Sequence, residues 1–150
     1  MQIKGNHGRY TLVAARWNSK IVEGLSSGAR RALLSRGISD DRIRTVHVPG
    51  AFEIPLACQA AAQRKDCDAV IALGAVIRGD TPHFDYIAGE CTRGLGEVAL
   101  ATGKPVSYGV LTVNTIEQAL ARSSDDENNK GVEAALCAIE MVNTLEELMD

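Results

Sequence analysis

Asp68-Ala69-Val70-Ile71-Ala72-Leu73 opens the stretch that decides the fold. It is a continuous apolar run of the kind that makes a strand buried on both faces. The chain goes on as Gly74-Ala75-Val76-Ile77-Arg78-Gly79-Asp80-Thr81-Pro82-His83-Phe84-Asp85-Tyr86-Ile87, turning polar at Arg78. A helical pattern starts near Asp85. A compact polar loop therefore follows the carboxyl end of a buried strand and precedes a helix. Open α/β sheets place their ligands there.

The loop carries its own chemistry. Gly79 frees the backbone so that successive N–H groups can converge on an anion. Thr81 adds a hydroxyl, and Arg78 a fixed positive charge nearby. His83 brings an imidazole, the side chain that exchanges protons near neutral pH. An ordinary polar loop with an exposed histidine, capped by Asp80 or Asp85, fits the same residues. A metal site of Asp80, His83 and Asp85 lacks the second His or Cys cluster it would need, and none is expected.

Upstream, residues 1–9 show no periodicity and read as an arm, followed by a body over residues 10–150. Tyr10-Thr11-Leu12-Val13-Ala14-Ala15 reads as a buried first strand ending in Arg16-Trp17-Asn18. Ile21, Val22, Leu25, Ala29, Ala32 and Leu33 then recur at helical spacing over Ser19–Arg36, with Ser19 as the candidate cap and Gly37 as the stop. Ile43–Val48 is a second strand, with His47 facing solvent or a neighbour. Pro49-Gly50 turns the chain, and Pro55 suits the first turn of a helix running to about Arg64.

Downstream, the helix beginning near Asp85 ends at Gly103, and Pro105–Thr112 is a fourth strand. Thr115 caps a short helix with Gln118 three residues on. Ser123–Asn129 is a polar break, and Gly131–Leu148 a final helix. Strands alternating with helices predict an α/β, three-layer doubly wound domain. It has a four-stranded parallel sheet of flavodoxin-like form with helices on both faces. Four strand ends then share one rim, and Trp17, Phe52 and Phe84 fall on it. The chain has only one Trp, three Tyr and two Phe, so this grouping suits a flat aromatic ligand beside a phosphate.

At 150 residues and 45% hydrophobic, the chain is predicted to be one globular domain. A net charge of −3 argues against a nucleic-acid surface. No apolar stretch approaches the ~20 residues that span a bilayer, and the amino terminus lacks the apolar segment of a signal peptide. Cys58, Cys67, Cys91 and Cys137 lie far apart. Cys58, Cys91 and Cys137 fall among alanines and leucines, as small apolar fillers in a reduced, cytoplasmic protein.

Ala15-Arg16-Trp17-Asn18, Val48-Pro49-Gly50-Ala51-Phe52-Glu53-Ile54-Pro55, the Gly74–Phe84 stretch, Gly109-Val110-Leu111-Thr112 with Ile116-Glu117-Gln118-Ala119, and Asn129-Lys130-Gly131 carry a resemblance. In these residues, in this order, the sequence resembles the lumazine synthase family of riboflavin biosynthesis. The resemblance implies a transferase-type, cofactor-free condensation. In it, 5-amino-6-ribitylaminouracil joins 3,4-dihydroxy-2-butanone 4-phosphate, giving 6,7-dimethyl-8-ribityllumazine, phosphate and water. It implies that Trp17 stacks on the pyrimidine and that Ala51, Phe52 and Glu53 line the ribityl pocket. The backbone of Ala75, Val76 and Ile77 would meet the pyrimidine edge. Gly79, Asp80 and Thr81 would hold the phosphate, and His83 would move protons. It further implies a homo-oligomer of at least a ring of five, with sites between adjacent subunits. Tyr108, Arg122 and Lys130 would come from the neighbour, and the arm would add a strand to the neighbour's sheet.

The segment Ser123-Ser124-Asp125-Asp126-Glu127-Asn128-Asn129 departs from the Gly- and Lys-containing linker of many members. Repeated around a symmetry axis, its three acids would disfavour association of rings, which predicts a pentamer or a small stack, while the retained spacing leaves a sixty-subunit shell open. Other readings are a non-catalytic ligand-binding or shell-forming protein on the same fold, and an archaeal-type riboflavin synthase. A flavodoxin-like electron carrier would need phosphate-binding Ser and Thr where Arg16-Trp17-Asn18 stands.

Overall fold

The computed structural model describes residues 7–150. Its elements are β1 (Tyr10–Ala15), α1 (Ser19–Ser35), β2 (Ile43–Val48), α2 (Ile54–Ala62), β3 (Ala69–Ile77), α3 (His83–Thr102), β4 (Val106–Val113), α4 (Ile116–Ser123) and α5 (Lys130–Met149). Short 3-10 turns at Asp40–Arg42 and Ala51–Glu53 precede β2 and α2. The strands form one parallel sheet in the order β2-β1-β3-β4.

β3 lies inside the sheet, buried from Ala69 to Ala75, which is why its sequence is apolar without alternation. One face is covered by α1 and α5, with Leu12, Leu25, Leu33, Ile71, Leu73 and Ile139 in a common core. The other is covered by α2 and α3, around Val13, Ile54, Val70, Cys91 and Leu95. Burying one such Leu or Ile side chain contributes about 1.5–3 kcal/mol, so these two layers hold the strand ends in fixed relation. The close approach of α1 and α5 depends on Gly131, where a Cβ would run into the backbone of Leu25.

Local signals account for most boundaries. Gly37 (φ 89°) and Gly103 (φ 69°) follow α1 and α3 in the left-handed region, where a side chain would be strained. Thr115 Oγ1 accepts from Gln118 N at 3.2 Å, and the Gln118 side chain accepts from Thr115 N at 3.3 Å, closing the expected capping box.

Several boundaries differ from expectation. β3 runs on to Ile77 because residues 74–77 pair with residues 110–113 of β4. α3 starts at His83 rather than near Asp85, since Pro82 already holds a near-helical φ of −70° and its carbonyl accepts from Asp85 N at 3.0 Å. Neither Asp80 nor Asp85 caps it. Ser19 begins α1, but the capping position is Asn18, at φ 61° and without a capping hydrogen bond. α5 begins at Lys130, capped by Asn129.

Cys58 and Cys91 are buried as expected, and so is Cys67, but Cys137 is exposed on α5. Burial pushes the Cys91 thiol up to about 11 and the Cys58 thiol up as well, which keeps both unreactive. The acid run is partly paired, Asp125 with Arg31 at 2.8 Å and Asp126 Oδ1 accepting from Asn128 N at 2.8 Å. Of the expected arm, residues 1–6 lie outside the described residues, and 7–9 carry no regular structure. Among the described residues no helix is long and apolar enough to cross a membrane, and no cluster of His, Cys, Asp and Glu could hold a metal.

Candidate functional site

The sheet order makes the connection from β1 to β2 and the return to β3 diverge, and the crevice opens between the carboxyl ends of β1 and β3. Asn18 bridges that crevice, its Nδ2 donating to Ala75 O at 3.0 Å. Its left-handed backbone, rare outside glycine, is the local strain that aims the side chain across. Ala75 is buried, and Val76 and Ile77 are half-buried at the strand's end.

β1 and β2 stay paired beyond their last residues. Arg16 N donates to Val48 O at 2.7 Å and Trp17 N to Pro49 O at 3.0 Å. This lays the Trp17 indole against Gly50, where any Cβ would overlap the ring. Gly50 was expected to serve a turn; its backbone is instead extended (φ −147°, ψ −175°), and its use is the missing side chain. Trp17 remains 65 % exposed, so the ring is both supported and open to a ligand.

Gly50 also donates its N–H to Glu53 Oε2 at 3.2 Å, holding that carboxylate in the same corner. Ala51 is buried, while Phe52 beside it is 57 % exposed. The Ala51–Glu53 turn packs on α3 and β3, on the same rim of the sheet as the loop of Gly79 to Thr81.

Gly79, Asp80, Thr81 and His83 are all exposed. Thr81 Oγ1 accepts from His83 N at 3.4 Å, so His83 stands in the first turn of α3 and not in the loop proper. The unpaired N–H groups of a helix start favour an anion in front of them. Two expectations change here. Phe84 is only 9 % exposed, so the aromatic rim consists of Trp17 and Phe52 alone. Arg78 is engaged within the chain, its guanidinium 4.4 Å above the Phe84 ring and its Nε donating to Asn114 Oδ1 at 2.9 Å.

Tyr108, Arg122 and Lys130 gather elsewhere. They line a cleft of about 390 Å³ along the outer edge of β4, with Glu133, Ala134 and Cys137. None of residues 51–53 or 79–83 lines it. The Tyr108 hydroxyl lies 2.9 Å from Thr92 Oγ1, and burial raises its phenol against the opposing pull of that bond. Arg122 Nη1 donates to Gln118 O at 3.0 Å, and Lys130 Nζ to Glu133 Oε2 at 2.8 Å.

Asn129, just before Lys130, has a role that its motif did not disclose. It is 2 % exposed. Its Oδ1 accepts from Gly131 N and Val132 N, and its Nδ2 donates to Gly24 O and Ser124 O. It thereby seats the start of α5, and with it Lys130, on α1.

The sequence model of one protein family, 6,7-dimethyl-8-ribityllumazine synthase, matches residues 7–146. That span contains the rim of β1–β3, the loop before α3 and the β4-edge cleft together. The chain belongs to the 6,7-dimethyl-8-ribityllumazine synthase family.

Proposed function

We propose that this chain is a catalytic member that condenses 5-amino-6-ribitylaminouracil with 3,4-dihydroxy-2-butanone 4-phosphate, without a cofactor, releasing phosphate and water. The observation that carries the reading is the rim corner. There an exposed indole and a carboxylate pinned by Gly50 share one corner, on the rim that also carries the open loop at the start of α3. Trp17 stacks on the pyrimidine, and the backbone of Ala75, Val76 and Ile77 meets its edge. Ala51, Phe52 and Glu53 take the ribityl chain, with Glu53 accepting from its hydroxyls. Gly79, Asp80 and Thr81 hold the phosphate.

His83 moves protons as the 5-amino group attacks the carbonyl, water leaves to give the imine, and phosphate is eliminated. Proximity and proton transfer suffice for these steps. Since Arg78 is engaged within its own chain, the dianion needs another cation. The separation of Tyr108, Arg122 and Lys130 from the rim supports their coming from an adjacent subunit in a ring of five. In that reading the protein works in the cytoplasm.

The test is to supply both substrates, with a metal chelator present, and follow lumazine absorbance with phosphate release. Both signals are expected undiminished. Binding without product would favour the non-catalytic reading, and conversion of lumazine to riboflavin the riboflavin-synthase one.

A further inference from the structure

Arg78 leaves β3 with its backbone N–H on Val113 O at 2.9 Å, the last rung before the loop. Its side chain then makes three contacts in three directions. Nε donates to Asn114 Oδ1 at 2.9 Å, the guanidinium carbon sits 4.4 Å over the Phe84 ring, and Nη2 lies 3.5 Å from Asp85 Oδ1. Asn114 is itself anchored, its backbone N–H donating to Gln118 Oε1 at 2.7 Å in the capping box of α4. The guanidinium thus spans from the β4–α4 turn to the first turn of α3, across the loop between them. That loop has little else to hold it: Gly79 faces open space, and Thr81 bonds only locally to His83 N.

We propose that Arg78 is a positioning residue, bracing the loop of Gly79 to Pro82 in the shape that receives the phosphate, and not a charge on the phosphate itself. The proposal deepens the function given above and rests on it. Lying over a ring while donating within its own plane needs a planar, forked cation. A lysine at this position keeps the charge but cannot do both. The ion pair with Asp85 is long and exposed and adds little, so Asn114 and Phe84 are the anchors that matter.

The test compares R78K, N114A and the double variant in the assembled full-length protein. Amide hydrogen exchange over residues 79–84 is read alongside the KM of each substrate. N114A keeps the backbone bond to Gln118, so it removes the anchor and spares the α4 cap. R78K and N114A are each expected to speed exchange in this loop roughly tenfold, the worth of one hydrogen bond to a charged group. Each should raise the KM for the phosphorylated ketone by a similar factor, and leave the pyrimidine KM within about twofold. The double variant should be little worse than either single one, because both break the same brace. Wild-type exchange and KM in R78K would overturn the proposal. So would a normal R78K beside an R78A with a raised ketone KM, which would make charge the function. If the wild type makes no lumazine, the functional reading fails instead, and the exchange data still decide whether the brace exists.

Discussion

Replacing Asn129 by alanine tests how the neighbour-facing residues are held. Asn129 is buried, and its four hydrogen bonds tie the start of α5 to Gly24 on α1 and to Ser124. Losing the cap on Gly131 N and Val132 N costs about 1 kcal/mol. Leaving Gly24 O and Ser124 O without donors costs about 1 kcal/mol each, for a total near 3 kcal/mol. The gap cannot close easily, because Gly28 packs on the same amide. Urea unfolding at one fixed protein concentration measures the loss. N129D separates the two halves of the role. It keeps the acceptor for the helix start but turns a carboxylate oxygen toward two carbonyls, and should lose roughly 2 kcal/mol or more at neutral pH. That deficit should shrink in acid, where the protonated side chain again donates. A loss under about 1 kcal/mol in N129A, or a wild-type N129D at pH 7, would refute the reasoning.

Gly50→Ala should displace the Trp17 ring without straining the extended backbone; because Trp17 is the only tryptophan, its emission reports the shift, and an unchanged spectrum would contradict the contact. The same variant is expected to raise the pyrimidine KM more than it lowers turnover. Stability should fall on the alkaline side. The Cys91 thiol is raised from 9.0 to about 11 and the Tyr10 phenol from 10.0 to about 12, both chiefly by burial. Each supports the fold fully below its ordinary pKa and loses that support as pH climbs through the raised one, by roughly 2–3 kcal/mol per group. A flat denaturation midpoint from pH 9 to 11 would exclude this for Cys91. Finally, H83A and R122A, each impaired alone, should regain activity when unfolded and reassembled together, since roughly one site in four in a head-to-tail ring draws both intact residues. Mixed rings of confirmed mass with no gain over the parents would place His83 and Arg122 in one chain's site.

Short-range pattern was enough for the architecture. The unbroken apolar run into Leu73 announced a central strand, and Gly103 and the Thr115–Gln118 pair marked helix ends, because each signal acts within a turn or two of chain. The family motifs were legible for the same reason: three are contiguous strand ends with the residues that follow them, and the others lie in β4, in α4 and at the start of α5. Boundaries moved where pairing partners intervened, as when β4 extended β3 to Ile77, or where a backbone angle acted early, as with Pro82 and His83.

What the residues do to one another across the fold came only from the tertiary structure. Arg78 read as a free charge until Asn114, 36 positions away, was seen to hold it. Asn129 read as part of a motif until its amide was seen reaching Gly24, 105 positions away. Phe84 and Cys137 exchanged their expected settings, the first buried and the second exposed. Periodicity tells which side of an element faces the core, but it is silent on which distant element arrives there. The order β2-β1-β3-β4 and the helices packed across it decide that, and they bring Gly50 under Trp17 and keep Tyr108, Arg122 and Lys130 on a separate edge.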